Sequence, residues 1–428
     1  MTSAKVGNYR WVVVALLFFA TTINYLDRQI IGLLKPTLET QFHWTELDYG
    51  KIVMSFQAAY AIGLVVFGSF IDKIGTKLGY TLSLIIWSMA AMGHALVKST
   101  FGFGVARAAL GLGESGNFPA AIKAVAEWFP KKERAFATGI FNSGANIGAV
   151  AAPVLVPWIL GIYGWQMAFL ITGAIGFIWL LFWLLLYEIP SRHKKLTPAE
   201  YDHIHSDAEE ADVRNDSNIK WIQLLSIRQT WTFVAGKLLT DPIWYFFLFW
   251  LPSYFSSTFS LDLKKPSLPL VIVYTATTFG SIGGGYLSSW FIKLGWPVFK
   301  ARKTAMFIFA VCVVPIITAR FATNMWQAVG LIGLAAAAHQ AWSATIFTTA
   351  SDMFPKRAVS SVVGIGSMAG AVGGIFFPLL IGYILETYKN AGHIIVGYNI
   401  IFTICGFAYL LAWIIMHLLS PKMKPVKL

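Results

Sequence analysis

Residues 128–153, WFPKKERAFATGIFNSGANIGAVAAP, come back 225 residues later as MFPKRAVSSVVGIGSMAGAVGGIFFP at 353–378. In one ungapped register Phe129 falls on Phe354, Pro130 on Pro355 and Lys131 on Lys356. Further along, Gly139 and Ile140 meet Gly364 and Ile365, Gly148 meets Gly373, and Pro153 meets Pro378. A loop signature and helix glycines recurring together mark an internal duplication of the kind membrane carriers are built from. The pairs Gly144/Gly148 and Gly370/Gly374 have the small-xxx-small spacing that lets helix backbones approach closely. These glycines are read as packing residues.

Working outward, the rest of the chain has the same character. It has 428 residues, 57% apolar and 12% charged, about half the charged share of a soluble domain, roughly 25%. Apolar runs of about 20 residues recur between short polar connections, the mark of a chain that crosses a bilayer many times. In lipid every backbone polar group needs an internal partner, so spans are helices or closed barrels. Barrel strands alternate apolar and polar residues; ILGIYGWQMAFLITGAIGFIWLLFWLLL (159–186) does not. Twelve spans are read at 9–33, 47–70, 78–97, 101–124, 134–160, 166–188, 229–255, 269–292, 303–321, 324–350, 358–384 and 395–419. The expected architecture is an all-α membrane protein of twelve transmembrane helices in two pseudo-symmetric six-helix bundles, 1–189 and 229–428. A polar linker, 190–228, joins them.

The net charge of +13 is a topology signal. The termini and even-numbered loops hold 22 Lys and Arg against seven in the opposite loops, which places both termini and the linker in the cytoplasm. Nucleic acid is not expected as a partner; the lipid bilayer is. The apolar run after Lys5 and Arg10 outlasts a signal peptide and has no small-residue cleavage site, so it is read as the first span. Cys312 and Cys405 fall inside spans and read as buried thiols. No HExxH, P-loop or nucleophile elbow occurs, so neither enzyme, cofactor nor metal is expected. His193, His203 and His205 sit in the charged linker and read as solvated.

At the end of span 2 stands GSFIDKIGTK (68–77). It resembles the loop signature of the major facilitator superfamily at Gly68, Asp72, Lys73, Gly75 and Lys77, with Thr76 replacing one basic position. The resemblance covers essentially the whole chain. It implies two bundles rocking about a central site, and a gating role for Gly68, Asp72, Lys73 and Gly75.

Charges inside the bilayer are costly, about 2.5–3.5 kcal/mol each on the lenient insertion scale, and so mark pathways. The deep ones are Asp27, Arg28, Arg107, Glu114, Lys237 and Asp241. In TINYLDRQ (22–29) neighbouring Asp27 and Arg28 point about 100° apart and need different partners, while Asn24 and Arg28 share a face. Arg107 and Glu114, seven apart, share another. Lys237 and Asp241 have i,i+4 spacing and can satisfy each other. The alternative reading of all six is structural ion pairing. At offset 225, Glu114 falls on His339 in HQAWSATIFT (339–348), so His339, Gln340, Trp342 and Ser343 are read as site lining, with His339 protonatable.

NYLDR, FQAAYA, R-x6-E-x4-P and HQAWSAT together resemble the anion:cation symporter branch of the superfamily, and within it the bacterial hexuronate transporters. The resemblance implies that Arg28 grips a substrate carboxylate, that Asp27 and Glu114 carry protons, that Arg107 answers Glu114, and that Tyr60 binds sugar hydroxyls or carboxylate. An arginine fork suits a carboxylate, and Asn24, Tyr60, Asn142, Asn146, Gln340, Trp342 and Ser343 suit hydroxyls. The expected partners are protons and a small organic anion; the expected setting is the inner membrane, as a monomer. An exchanger or uniporter for another organic anion remains an alternative. A non-transporting sensor is a more distant one.

Overall fold

The computed structural model describes residues 7–206, 221–354, 356–424 and 426, without the side chains of residues 65, 68, 69, 72, 131, 132, 134–136, 221, 222, 351 and 356–361. Among the described residues no strand occurs. The first half runs α1 (Tyr9–Phe42), α2 (Glu46–Ile74), α3 (Thr76–Gly93), α4 (Thr100–Glu114), α5 (Asn117–Trp128), α6 (Lys131–Tyr163) and α7 (Trp165–Leu186). Two short linker helices follow, α8 (Pro198–Ile204) and α9 (Trp221–Leu225). The second half runs α10 (Arg228–Phe249), α11 (Leu251–Phe259), α12 (Leu268–Lys293), α13 (Val298–Val313), α14 (Met325–Met353), α15 (Lys356–Asn390) and α16 (Ile394–Leu419).

Eight helices, among the described residues, are long and apolar enough to cross a membrane by themselves. With α2, α3, the pair α4–α5 and the pair α10–α11 they make the twelve spans of an all-α, multi-pass membrane protein. The fourth span, read from sequence as continuous, breaks directly after Glu114. Ser115 Oγ donates to Leu112 O at 2.6 Å, and Ser83 Oγ donates to Gly113 O at 2.7 Å. Hydroxyls thus take up carbonyls that an uninterrupted helix would have used itself.

By contacts the chain forms two compact units. The first holds Met1–Ile30, Ala58–Ala152 and Ile159–Ser217. In it α6 lies directly on α1: a Cβ built at Gly144 or Gly148 would strike the carbonyl oxygens of Phe18 and Thr22. Gly113 of α4 seats on the backbone of Trp87 in α3 in the same manner. At one end of this unit a polar and aromatic lattice ties the start of the linker to the helices. Arg10 Nε meets Glu133 Oε2 at 3.0 Å, Arg10 Nη1 meets Glu200 Oε1 at 3.3 Å, and His203 Nε2 meets Glu133 Oε1 at 2.9 Å. Burial alone would raise the Glu133 carboxyl, but the bonds and charges of His203 and Arg10 outweigh it and hold the group below its ordinary value. His193 packs on Tyr9, ring centroids 4.2 Å apart, and burial lowers its affinity for a proton. His193 and His203 are therefore anchored rather than solvated as the linker's composition suggested.

The second unit holds Ile31–Gln57, Pro153–Trp158 and Asn218–Leu428. In it α15 presses on α10: a Cβ at Gly373 would lie 2.7 Å from Leu238 O and 2.6 Å from Pro242 Cγ. Gly280 and Gly284 seat α12 against the backbone of Ala337 and Ala341 in α14. The far ends of α1 and α2 belong here too. Lys35, 2% exposed, meets Glu46, 1% exposed, at 2.8 Å, and Lys389 pairs with Glu39. Glu46 N donates to Glu386 Oε2 at 2.7 Å, and Tyr49 OH donates to Phe249 O at 2.8 Å. Gly50 and Gly382 permit that packing, with Cβ positions 2.7 Å from Pro378 O and Glu46 O.

Candidate functional site

The first unit gathers a buried charge cluster from α1, α2 and α4. Arg28, 3% exposed, donates from Nε at 3.0 Å and from Nη2 at 2.9 Å to the single oxygen Oε2 of Glu114. Nη2 also reaches Asn24 Oδ1 at 3.3 Å. Two rings bracket the guanidinium: its Cζ lies 4.7 Å from the Tyr25 ring centroid and 4.8 Å from that of Tyr60, within cation–π range. Arg107, on α4, donates from Nη1 to the backbone carbonyl of Arg28 at 3.4 Å. Glu114 is therefore bonded by Arg28, and Arg107 is a charged neighbour of it.

Asp27, one residue before Arg28, turns away from that pair, as the helical angle requires. It is 1% exposed, and neither carboxylate oxygen has a hydrogen-bond donor among the described residues. Glu114 and Arg107 are its charged neighbours, and the nearby Thr172 hydroxyl donates to Ala168 O at 3.0 Å. An ionised carboxylate buried in this way costs several kcal/mol, a cost that binding a proton removes. Glu114 Oε1 likewise has no partner among the described residues. The pair is thus half-engaged, with one carboxylate oxygen in the arginine fork and the other outside it.

The second unit gathers an aromatic cluster and a separate ion pair. His339, 3% exposed, stacks on Trp244 of α10, ring centroids 5.3 Å apart and planes within 3°. Its Nδ1 is 2.5 Å from Tyr409 OH of α16. Trp342, fully buried, meets Tyr409 edge-on at 5.6 Å. Lys237 and Asp241 pair at 2.7 Å, as their spacing suggested.

Other residues expected at a site are less deeply buried than these clusters. Asn142 is exposed and Asn146 half-buried on α6. They are about 200° around the helix from Gly144 and Gly148, on the face turned away from α1. Gln340 and Ser343 are half-buried, and among the described residues no hydrogen bond joins any of these four to Arg28 or His339. In the loop signature Gly75 has φ +88°, a left-handed backbone for which glycine is suited. Lys73 is exposed, whereas the side chain of Asp72 and the surroundings of Gly68 lie outside the described set. Thr76, the departure from the signature, donates to Glu127 Oε1 at 2.7 Å, and Lys77 meets Glu188 Oε2 at 3.0 Å. Among the described residues no group of three or more His, Cys, Asp or Glu could hold a metal.

Sequence reasoning did not select Tyr25, Trp244 and Tyr409. Tyr25 was within reach, since it stands three residues before Arg28 on one helix. Nothing in the spacing of Trp244 or Tyr409 ties them to His339; spans 7, 10 and 12 meet only in the fold.

Residues 17–378 match the family described as Major Facilitator Superfamily. The chain is 33% identical over 385 residues to the hexuronate transporter of Escherichia coli strain K12, covering 90% of this chain and 89% of that one. It is 37% identical over 290 residues to the galacturonate transporter of Dickeya chrysanthemi, covering 68% of this chain and 84% of that one. Among solved structures, a D-xylose-proton symporter superposes with a TM-score of 0.78 at 16% identity, covering 98% of this chain and all of that one. That last likeness is one of fold.

Proposed function

The chain belongs to the major facilitator superfamily, a family of transporters rather than enzymes, and on that premise we propose that it imports a sugar-acid monocarboxylate together with protons. The substrate class is a hexuronate, galacturonate or glucuronate, in keeping with the named activities of relatives one third identical to it. The observation that carries the reading is the arginine fork of Arg28, closed on one oxygen of Glu114.

A buried ion pair cannot simply open, because leaving one partner uncompensated costs about 3–5 kcal/mol. Glu114 leaves the fork when a proton neutralises it and an arriving carboxylate takes its place. Proton and sugar anion then bind together, and each is released when the other goes. Tyr25 and Tyr60 hold the guanidinium plane so that the incoming carboxylate meets two parallel donors. Asp27 is a second proton carrier, whose charge is admitted or removed as the site changes its exposure. Arg107 balances whichever carboxylate is ionised. Alternating exposure of the site to the two sides of the membrane involves the halves 1–189 and 229–428, with the Gly68–Gly75 loop as a gate. In this reading both termini and the linker face the cytoplasm, as the excess of Lys and Arg in their segments supports, and the membrane is the inner one.

With one proton per anion the cycle is electroneutral and runs on the pH gradient. With two, the membrane potential adds about 2.3 kcal/mol per charge per 100 mV. The test is accumulation of labelled galacturonate and glucuronate by proteoliposomes under an imposed pH gradient, with and without an uncoupler. Accumulation that collapses with the uncoupler is expected. Uptake that proceeds only against a preloaded organic anion, indifferent to the uncoupler, would replace symport by exchange.

A further inference from the structure

The first unit breaks its fourth span directly after Glu114, and the chain is pinned on both sides of that break. Before it, Gly113 is pressed on the backbone of Trp87 in α3, and its carbonyl accepts from Ser83 Oγ at 2.7 Å. After it, Gly116 lies so close to Ser83 that a Cβ there would collide with Ser83 Oγ. Asn117 then opens α5 with both ends of its amide engaged. Tyr80 OH of α3 donates to Asn117 Oδ1, and Asn117 Nδ2 reaches Thr21 Oγ1 of α1 at 3.4 Å. Thr21, Tyr80, Ser83 and Asn117 are all fully buried.

On α1, Thr21 and Arg28 are seven residues apart and share a face. The first and fourth spans therefore meet at two places, Asn117 on Thr21 and Glu114 on Arg28. These contacts differ in kind. The ion pair changes when Glu114 gains a proton, whereas the Tyr80–Asn117–Thr21 chain is a neutral amide held between two hydroxyls. The charged and titratable groups that face Glu114 are Arg28 and Asp27 of α1 and Arg107 of its own helix; Tyr80 is the one that faces Asn117. Glu114 thus stands between two arginines, and Arg107 shares its face of α4.

We propose that Asn117, clamped by Tyr80 and Thr21, is a positioning residue that holds Glu114 in the fork of Arg28 rather than beside Arg107. The inference rests on the proposed function and names what makes the proton obligatory in it. With the clamp intact, Glu114 has a fixed backbone and leaves the fork only when neutralised. With the clamp loosened, the carboxylate turns to Arg107 while still ionised, and the fork takes a sugar acid without a proton. Exchange of substrate then continues and accumulation fails.

The experiment compares two rates for labelled galacturonate in proteoliposomes: accumulation under an imposed pH gradient, and exchange across preloaded vesicles without one. Tyr80→Phe removes only the phenol oxygen, and Thr21→Val replaces the other hydroxyl by a methyl. Each is expected to keep exchange within twofold of wild type and to lower accumulation about fivefold, the scale of one lost hydrogen bond. Asn117→Ala should lose more than either. In the Asn117→Ala background Tyr80→Phe should change accumulation less than twofold, because its partner is gone. An equal effect of Tyr80→Phe in both backgrounds, or a parallel fall in exchange and accumulation, would overturn the assignment as structural only. Should Asn117→Ala fail to fold, the two hydroxyl variants decide alone, and accumulation kept by both overturns the inference. A wild type that accumulates neither galacturonate nor glucuronate overturns the proposed function and this inference with it. A wild type that accumulates them while Tyr80→Phe does so equally well overturns this inference alone.

Discussion

Glu114 falls on His339 at an offset of 225, and the glycine seats, Gly148 on Thr22 and Leu26 and Gly373 on Leu238 and Pro242, carry Arg28 onto Trp244; one place holds an ion pair and the other a ring stack. Each is almost completely buried: Glu114 is 0% exposed and His339 3%. The first is held by bonds of 2.9 and 3.0 Å to one carboxylate oxygen, the second by ring overlap and a single hydrogen bond. The difference teaches how a duplicated scaffold becomes asymmetric. Helix glycines and loop signature stay in register because backbone packing demands them, while the side chains aimed inward are free to diverge. A buried charge pair stores a large penalty for disruption, so it can act as a switch thrown by a proton. A ring stack carries no comparable charge penalty.

That contrast can be broken deliberately. Arg28→Ala should abolish uptake, a loss of a hundredfold or more, because a buried Glu114 without its partner costs about 3–5 kcal/mol. Arg28→Lys keeps the charge without the fork, and should fold normally yet still fail to bind substrate; normal uptake by either variant would remove Arg28 from the site. Next in size, Glu114→Gln should retain substrate exchange across preloaded vesicles and lose accumulation against a gradient, since the fork is freed without any proton. Accumulation that survives this change would take the coupling role away from Glu114.

Two smaller effects sharpen the same comparison. Gly148→Leu and Gly373→Leu should both lower thermal stability, each by several degrees, because overpacking a tight helix contact costs about 1–3 kcal/mol. If only one of the two matters, the halves are not packed alike and the correspondence of Arg28 with Trp244 fails. The smallest effect is expected at the linker anchor. Glu133 is held below the ordinary carboxyl value by His203 and Arg10, so its contribution is present above the unfolded-state pKa of about 4 and fades as pH falls through the lowered folded value. Glu133→Gln should therefore reduce stability at neutral pH by under about 1 kcal/mol, with the gap to wild type closing in acid. A gap that widens in acid would contradict the sign.

Charge was legible in the sequence because membranes make it conspicuous. Of the six ions in apolar spans, Asp27, Arg28, Arg107 and Glu114 gather in one buried cluster, and Lys237 and Asp241 pair with each other elsewhere. The pairing inside the cluster was not legible. Spacing on α4 put Arg107 and Glu114 on a common face, but the fork that bonds Glu114 belongs to α1. Polar residues of ordinary kind were harder to judge. Asn142 and Asn146 were selected for amide chemistry, yet they lie on the α6 face turned from the glycines that touch α1. His193 and His203 looked solvated because their neighbours in sequence are charged, whereas their neighbours in space are Tyr9, Trp128 and Glu133; His205 is exposed, as the linker's composition suggested.

The sequence by itself determined that the chain crosses the bilayer twelve times as helices and that its two halves are copies. Both facts follow from local physics, the cost of unpaired backbone in lipid and the room a glycine leaves. Tertiary structure alone decided which carboxylate fills the arginine fork, and that an indole, an imidazole and a phenol from three distant spans form one assembly. Such contacts join residues tens to hundreds of positions apart, and their energies depend on a desolvated geometry that no periodicity records.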